Sequence, residues 1–484
     1  IQEESRDGQH DNDARVSLIT KLVPTFTVNE AIEASGFSRF QYVLCAIHGL
    51  SWLASAMLIM LLAILTPSLH CDWNLSTAQQ AMCSTSVFVG WLVASPVWGR
   101  VCDLYGRRKG LIAASLVGVI FSILTALAPN YYLFIAARFG VGFANGGHAQ
   151  SVTLTGEFLP AASRARWLIF LKCFWAVGAA IDAGLAIVIL PSLGWRWLVA
   201  VTAIPLALFG ICSWWLPESI RFDVSKGRLT EARATLDRIA HFNGSSVPEG
   251  ELAMPKEESA GSSSMMDLLN GTWRRTSIQV WILWATFGAV YYGIAIYTSL
   301  LLQSPVDQCG ARGDEDLGTR AKRADECRQL TTENYIYIVV TTMSEVPGFI
   351  LTMFAVEWFG RRGTFAIGFG VFAACSVALT ICLPRFIIVT VLFVGRSAIA
   401  AVYQTGYMYT SEVYPTSIKA QGLGVASGWG RIGSMATPFI VQMLFSLNLI
   451  YPAIVFIVAG TVGAIVSILL PIETSEKSKR NKVS

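Results

Sequence analysis

Three observations of the sequence predict an all-α integral membrane protein, with 12 transmembrane helices in two pseudo-symmetric six-helix bundles. The 484 residues are 54% hydrophobic and 14% charged, whereas soluble proteins have roughly 25% charged residues. Apolar runs of about 20 residues, the length that crosses a bilayer as a helix, recur along the chain. Short motifs also recur at one fixed spacing, which indicates an internal duplication. The net charge of +4 is too small to favour nucleic acid as a partner.

The apolar runs form two sets of six, separated by a polar interval of roughly 60 residues. Strands of a membrane β-barrel would alternate in hydropathy over about 10 residues, so the length of the runs predicts helices. Numbered helix 1 to helix 12, the runs cover roughly residues 43–66, 80–101, 110–128, 131–153, 166–190, 196–216, 277–303, 333–356, 363–383, 386–409, 419–445 and 449–470.

The predicted domains follow from these runs. In chain order they are a cytosolic N-terminal tail 1–42, an N-terminal bundle 43–216, a cytosolic central loop 217–276 with short helices, a C-terminal bundle 277–470 that contains a luminal loop 304–332, and a cytosolic C-terminal tail 471–484.

Lys and Arg in the short loops predict which face is cytosolic, because cytoplasmic loops carry an excess of these residues. The loops after helices 2, 4 and 8 and the C-terminal tail are basic, so both termini are expected in the cytosol. The 304–332 loop is the exception with five basic residues, but it also carries six acids. Asn74 then lies in a glycosylation sequon on the luminal side, whereas the sequons at Asn243 and Asn270 are cytosolic.

Three cysteines fall on the predicted luminal side, where disulfides form: Cys71, Cys309 and Cys327. A Cys309–Cys327 pair is preferred, because a bridge from Cys71 to the other half would tie together two halves that must separate. Free thiols are the alternative. The remaining cysteines lie mostly in apolar runs, as packing residues. The sequence has neither a Cys-x-x-Cys nor a His-rich spacing, so no metal and no cofactor is expected.

One basic turn occurs twice in the chain. Cys102–Gly110, with the sequence CDLYGRRKG, recurs as Val356–Thr364, VEWFGRRGT, after helices 2 and 8. A marker EFLP at Glu157 recurs as EVYP at Glu412, and a Leu-Pro marker with an acid follows both helix 6 and helix 12. The offsets are all 254 to 255 residues. Three markers in one register indicate two parallel halves related by an axis along the membrane normal.

These motifs resemble a known family of transporters. DLYGRR, EFLP, LPES and EVYPT are together similar to the sugar and organic-ion porter branch of the major facilitator superfamily, and most closely to its vesicle-membrane relatives of the synaptic vesicle glycoproteins. The resemblance runs from about Gly36 to Glu473 and implies the major facilitator fold, with alternating access between the two bundles. The motifs give almost no information about the substrate.

The resemblance implies that the repeated motifs form a gate, which closes the cytosolic side while the central cavity faces outward. Glycine permits the sharp turns, and arginines pair with nearby acids. The predicted gate residues are Gly99, Asp103, Gly106, Arg107, Arg108, Glu157, Arg164, Glu218, Arg221, Glu357, Gly360, Arg361, Arg362 and Glu412. The alternative is that the arginines are ordinary anchors at the cytosolic surface. We expect the Asp103 copy to be the stronger gate, because no glycine matches Gly99 before Glu357.

Charged residues inside the apolar runs indicate a cavity, because a charge is costly within a membrane. Four of these charges and several aromatic or amide residues are predicted to line a substrate or coupling-ion cavity: Arg138, Asp182, Glu345, Arg396, Trp52, Phe174, Trp175, Tyr291, Tyr292, Tyr297 and Gln404. The alternatives are buried structural pairs for the charges and packing or lipid-facing positions for the others. His148 is a weaker candidate, because a lone histidine in a helix is more often a packing residue.

Helix 1 departs from the family pattern. The resemblance implies two acids in a Trp-x-x-Asp-Ala-Met-Glu frame, where this chain has Ser55 and Leu58 after Trp52. A carboxylate in helix 1 would face Arg138 as a proton-coupling pair. Its absence leaves proton coupling open, with Asp182 as the alternative partner of Arg138.

The predicted function is alternating-access secondary transport of a small organic ion across a vesicle or plasma membrane. No enzyme motif occurs in the sequence, so an enzyme is not expected. The expected partners are the lipid bilayer, the organic-ion substrate and no nucleic acid, with the chain acting as a monomer in a synaptic or other cytoplasmic vesicle membrane. The alternative is a vesicle membrane protein that does not transport but binds an adenine nucleotide or a trafficking partner, since one scaffold hosts many functions.

Overall fold

The structure is a computed structural model that describes residues 24–253, 265–303, 330–381 and 383–474. The first six-helix bundle is confirmed, and it is broken in two places where a single residue separates two helical pieces. Its helices are Arg39–Trp73, Thr77–Tyr105, Arg107–Ala126, Tyr131–His148 with Gln150–Glu157, Ala161–Leu193, and Trp195–Thr202 with Ile204–Cys212. They are helices 1 to 6 in order.

The second bundle repeats the first. Its helices are Gly271–Gln303, then Thr332–Met343 followed by Glu345–Ala378, then Arg385–Val413, Thr416–Leu447 and Tyr451–Ile468. Glu345–Ala378 contains two spans, because the chain reverses at Gly360, whose φ of 72° is not helical. Helix 8 therefore ends at this glycine and helix 9 begins after it, so the bundle has helices 7 to 12.

Nine helices in the described ranges are long and apolar enough to cross a membrane by length and composition. One of them, Thr332–Ala378, holds the two spans on either side of Gly360. Helix 4 and helix 11 are the remaining two. Both are rich in glycine and polar residues, which lowers their mean hydropathy although they lie within their bundles.

Matched glycines pack the two bundles in the same way. Gly178 of helix 5 lies against the backbone at Leu53 of helix 1, and Gly433 of helix 11 lies against the backbone at Ala285 of helix 7. The two glycines are 255 residues apart, the offset of the sequence motifs. Small residues let helix backbones approach closely in membranes, so the duplication is present in the packing as well as in the loops.

The two bundles meet along helices 2 and 11 and along helices 5 and 8. Thr85 of helix 2 donates a hydrogen bond to the carbonyl oxygen of Met435 in helix 11, at 3.1 Å. We call the side that carries Gly106 and Gly360 the motif face, and the side that carries Asn74 the sequon face. Thr85 lies eight residues from the start of helix 2 at the sequon face, so this contact joins the bundles on that side.

The end of the predicted N-terminal tail folds onto the central loop. Strand Thr25–Phe26 pairs in parallel with strand Glu251–Leu252, and a short helix, Val28–Ser35, follows with a capping box at Thr27. Asn243 ends the main helix of the central loop. It accepts from the Phe40 main-chain N–H at 3.0 Å, which ties that loop to the start of helix 1.

Candidate functional site

Each motif turn is built around a glycine with positive φ and a distant carboxylate. Gly106 has φ of 104° and Gly360 has φ of 72°, a region that side chains with a Cβ avoid. The Glu218 carboxylate occupies the space that a Cβ on Gly106 would need, and it accepts from the Arg108 main-chain N–H at 3.0 Å. An anionic oxygen here satisfies the free N–H groups at the start of helix 3.

The second turn has the same construction. Glu473 accepts from the main-chain N–H groups of Arg361 and Arg362 at 2.9 and 3.0 Å. A Cβ on Gly360 would lie 3.0 Å from its carboxyl carbon. The sequence analysis placed Glu218 in the gate but not Glu473, although the repeated Leu-Pro marker already contained both acids.

The first arginine of each motif also forms an ion pair with an acid further along the chain. That acid lies at the motif-face end of helix 4 in the first half and of helix 10 in the second half. Arg107 lies 2.5 Å from Glu157, and Arg361 contacts both carboxylate oxygens of Glu412 at 2.8 and 2.9 Å. Glu157 also accepts a hydrogen bond from the Ser219 hydroxyl. These ion pairs join helices of one bundle, so each motif holds its own half together at the motif face.

The remaining gate candidates make no contact between the halves in the described residues. Asp103 and Glu357 are exposed, and the space beside Gly99 is open. Arg164 donates to the Leu159 carbonyl at 2.9 Å, and Arg221 donates to the side chain of a residue in the N-terminal helix at 3.0 Å. A gate that joins the two halves therefore stays a prediction for another conformation.

A cavity of about 510 Å³ lies at the motif face. Its walls come from the first half and the helix that follows it, and they include Asp103, Arg107, Glu157, Arg164 and Leu168. Arg164 and Leu168 are on successive turns of helix 5, so the cavity follows this helix into the membrane.

A buried polar chain crosses from one half to the other. The Trp175 indole N–H donates to the Tyr291 hydroxyl at 2.7 Å. Tyr291 donates to Glu345 at 2.7 Å, and Arg396 donates to the other oxygen of the same carboxylate, also at 2.7 Å. The side chains of Arg396 and Glu345 are only 4% and 2% exposed. The structure thus brings together four of the predicted cavity residues, on helices 5, 7, 8 and 10.

The buried charges of the first half are arranged differently. Arg138 donates at 2.5 Å to the main-chain carbonyl of Leu58, the position at which the family resemblance implies an acid. Asp182 is fully buried, and neither of its oxygens has a hydrogen-bond partner in the described ranges. Ser55 is at the other position where the family resemblance implies an acid. Its hydroxyl oxygen lies 3.2 Å from Nδ1 of His148.

Lys172 of helix 5 was missed by the sequence analysis. Its ammonium nitrogen lies 3.4 Å from the ring centroid of Trp52 and 4.7 Å from that of Tyr407, which are cation–π distances. Trp52 belongs to the first half and Tyr407 to the second, so this cation lies between them. A lysine inside the predicted membrane-spanning run 166–190 was by itself enough to identify Lys172 as a candidate cavity residue, because charges are rare within such runs.

Arg431 of helix 11 makes the corresponding contact from the other half. Its guanidinium carbon lies 5.1 Å from the ring centroid of Trp91 in helix 2. Tyr403 and Tyr407 pack against each other at 5.6 Å. Both Lys172 and Arg431 thus place a cation of one half over an aromatic ring of the other.

The other predicted cavity residues have different surroundings. Gln404 is buried, and its side-chain oxygen has no partner among the described residues. Tyr292 packs against Phe88 of the first half at 4.7 Å. Phe174 lies against helix 1 at Gly49, outside the polar chain.

Tyr297 donates at 3.0 Å to the carbonyl of Leu449, which places it among helices of the second bundle.

The sequon face carries the remaining predicted sites. Asn74 is exposed at the turn between helices 1 and 2, with φ of 47°, so its side-chain amide is accessible. Cys71, which the sequence analysis left outside the preferred pair, is disulfide-bonded. The preferred pair, Cys309 and Cys327, lies outside the described residues.

Known proteins resemble this chain over most of its length. The svop-1 protein of Caenorhabditis elegans is 41% identical over 453 residues, which cover 93% of this chain and 86% of that protein. The synaptic vesicle 2-related protein of Pongo abelii is 41% identical over 450 residues, which cover 93% of this chain and 81% of that protein.

A solved structure shares the fold. It is the partially occluded inward open conformation of the xylose transporter XylE from E. coli, with a TM-score of 0.68 at 16% identity, covering 90% of this chain and 98% of that one. The family model described as Sugar (and other) transporter matches residues 25–480. With this match and two relatives above 40% identity, the chain belongs to the sugar (and other) transporter family, a family of membrane transporters rather than enzymes.

Proposed function

We propose that this protein is a secondary transporter that moves a small organic ion by alternating access. The single observation that carries the proposal is the buried polar chain from Trp175 through Tyr291 and Glu345 to Arg396. It lies inside the membrane-spanning bundles and joins the two halves. Charged groups in such a position most often serve a substrate or ion pathway, and transporters of this architecture bind substrate between their halves.

The motif pairs support the rigid-body part of the mechanism. Arg107 with Glu157, and Arg361 with Glu412, hold the ends of helices within one half, so each half moves as a unit. Contacts between the halves include single hydrogen bonds such as Thr85 to Met435, which break at modest cost. Rocking of one half against the other then exposes the central residues to each side in turn.

The proposal includes an orientation and a location. Both termini and the motif face are in the cytosol, and Asn74 is glycosylated on the luminal side. The membrane is that of a synaptic or other vesicle, as the name of the synaptic vesicle 2-related relatives implies for those proteins. The central residues come from both halves of one chain, so a monomer is sufficient for transport.

Uptake by purified protein in proteoliposomes tests the transport proposal. Labelled organic cations, organic anions and neutral solutes are offered, and saturable uptake of at least one class is expected. Glu345→Gln should lower that uptake by about tenfold or more, because removing a charged hydrogen-bond partner costs about 1.5–3 kcal/mol. Asp237→Asn in the central loop is the matched control, since Asp237 is half-exposed and its ion pair among the described residues is with its helical neighbour Arg233.

One outcome would contradict transport, and a second would contradict only the role of the buried polar chain. If no solute of any class enters the liposomes while an adenine nucleotide binds saturably, the protein is a binding component of the membrane instead. If uptake occurs but Glu345→Gln and Asp237→Asn behave alike, transport stands and the buried polar chain is only structural.

A further inference from the structure

We infer that the central site takes a small organic anion, an aromatic carboxylate, whose charge is bound by Lys172. This inference rests on the proposed transport function and names the class of its substrate. The carrying observation is the position of one lysine between aromatic rings of both halves.

Lys172 lies within the membrane-spanning part of helix 5, about a third of the way along its 33 residues from the motif face. Helix 5 begins at Ala161 on the motif face, and 11 residues at 1.5 Å each put Lys172 about 16 Å along the helix. The hydrocarbon core is about 30 Å thick. Leu168, one turn before Lys172, lines the cavity at the motif face. Residues four apart share one face of a helix, so the cavity approaches Lys172 from that side.

Lys172 has no acidic partner among the described residues. There it contacts the faces of Trp52 and Tyr407, whereas the buried Glu345 is bound by Arg396 at 2.7 Å. A cation–π contact is worth about 0.5–1 kcal/mol at an exposed site and about 2 kcal/mol or more when desolvated, and in the described ranges the half-buried Lys172 has only such contacts to offset the partial loss of water around its charge. An anion supplied from outside would meet the remaining cost.

The charge inside the bundles is positive. Away from the helix ends at the two faces, the buried or half-buried cations of the described bundle helices are Arg138, Lys172, Arg396 and Arg431, and the buried acids that face them are Asp182 and Glu345. The central region therefore carries a surplus of positive charge, which an organic anion would reduce and an organic cation would increase.

Three of the unsatisfied polar atoms in this region are donors that fit an anion. The indole N–H groups of Trp52 and Trp91 and the Nε–H of Arg431 are buried without a hydrogen-bond partner in the described ranges. All three are donors, as a carboxylate requires. The two tryptophans are the rings that Lys172 and Arg431 cover. Donors and cations thus coincide around one site.

The aromatic rings argue against a cationic substrate. Aromatic cages bind organic cations through the faces of their rings, but here the protein's own Lys172 and Arg431 lie over Trp52 and Trp91. An organic cation would have to displace these side chains. The rings around the site, which include Tyr403 and Tyr407, instead provide apolar walls for the planar body of an aromatic acid.

Three probes of similar shape and different charge test the inference: benzoate, benzyl alcohol and benzylamine. Binding to the full-length protein in detergent or nanodiscs is measured by quenching of tryptophan fluorescence and by thermal stabilisation. Benzoate should bind saturably and more tightly than the other two. Lys172→Gln should weaken benzoate binding by about tenfold or more, in line with a charged hydrogen bond, and Lys172→Arg should retain more of the affinity than Lys172→Gln.

A matched control is Lys419→Gln, because Lys419 is exposed near the start of helix 11 at the motif face. This variant should bind benzoate like the parent protein. The inference is overturned if benzylamine or benzyl alcohol binds as tightly as benzoate, if Lys172→Gln and Lys419→Gln bind equally, or if none of the three probes binds.

The two levels of the proposal fail separately. Proteoliposomes that accumulate a cation or a neutral solute, with uptake unchanged in Lys172→Gln, would keep the transporter and refute the anion site. Benzoate that binds through Lys172, while no solute of any class crosses the membrane, would keep the anion site and refute transport.

Discussion

The two halves of this protein are alike at the motif face and different in their interiors. At the face, Gly106 and Gly360 both turn with positive φ, and Glu218 and Glu473 accept from the matching main-chain N–H groups of Arg108 and Arg362. In the interior, Arg396 of the second half has a carboxylate partner, whereas Arg138 of the first half has a main-chain carbonyl. The duplicated fold has thus kept the turns that hold each bundle, while the charges near the centre have diverged.

This difference indicates which groups of the site are free to bind a ligand. The Glu345 carboxylate of the second half already accepts hydrogen bonds from Tyr291 and Arg396. In the first half, Asp182 and several donors have no partner among the described residues, and Lys172 has only aromatic contacts. Unsatisfied groups in a low-dielectric region gain the most from a new partner, so the groups that would bind a ligand come mainly from the first half, together with Arg431 of the second.

The largest expected effect is on the paired charges of the second half. Glu345→Gln leaves the Arg396 guanidinium buried without its anion, which should destabilise the protein by about 3–5 kcal/mol. Asp182→Asn should change stability much less, because Asp182 has no hydrogen bond to lose. Thermal unfolding in detergent measures both variants. Equal losses would show that the halves do not differ in this respect, and the double variant Glu345→Gln with Arg396→Gln should recover part of the stability.

A smaller effect is expected at the matched glycine turns. Gly106→Ala and Gly360→Ala both force a Cβ into a positive-φ position, which costs about 1–2 kcal/mol. Gly106→Ala should cost more, because its Cβ would overlap the Glu218 carboxylate, whereas Glu473 lies 3.0 Å away. Gly370→Ala is the control, since Gly370 has a helical backbone and open space. A melting temperature that is lower for Gly360→Ala than for Gly106→Ala would contradict this expectation.

Removing the acid of each motif ion pair should change stability by different amounts, and this difference should be smaller than the effects above. Glu157 has a side chain only 7% exposed, whereas that of Glu412 is 32% exposed. Glu157→Gln should therefore cost about 1–3 kcal/mol, the range for a buried group that loses a charged partner, and Glu412→Gln less than about 1 kcal/mol. Chemical unfolding in parallel, at low and at high salt, measures this, and salt should weaken the Glu412 pair more.

The smallest effect on stability is expected for the two motif acids that are exposed here. Asp103→Asn and Glu357→Gln should leave the melting temperature unchanged, because both side chains are exposed in this conformation. The two variants should instead change the rate at which the protein alternates between its conformations. If the motif with Asp103 is the stronger gate, Asp103→Asn should slow uptake more than Glu357→Gln. Uptake that responds equally to both variants would contradict an unequal gate.

Local pattern was enough to predict much of this molecule. Run length predicted the helices, and the repeated motifs predicted that their arginines pair with nearby acids. The structure gives Glu157 as the partner of Arg107 and Glu412 as that of Arg361. The Cys71 disulfide was not foreseen. Folding of the segment near Thr25 onto the central loop was not foreseen either, because a two-residue strand is too short to leave a hydropathy pattern.

The sequence by itself determined that the chain is a membrane protein of two duplicated six-helix halves, since hydropathy and motif spacing are local properties. Only the tertiary structure decided which buried charges meet. Arg138 finds a carbonyl 80 residues away and Trp175 a hydroxyl 116 residues away. Lys172 meets rings on helices 1 and 10. Such contacts depend on how helices rotate and pack against one another, and packing is fixed by the whole bundle rather than by any one run.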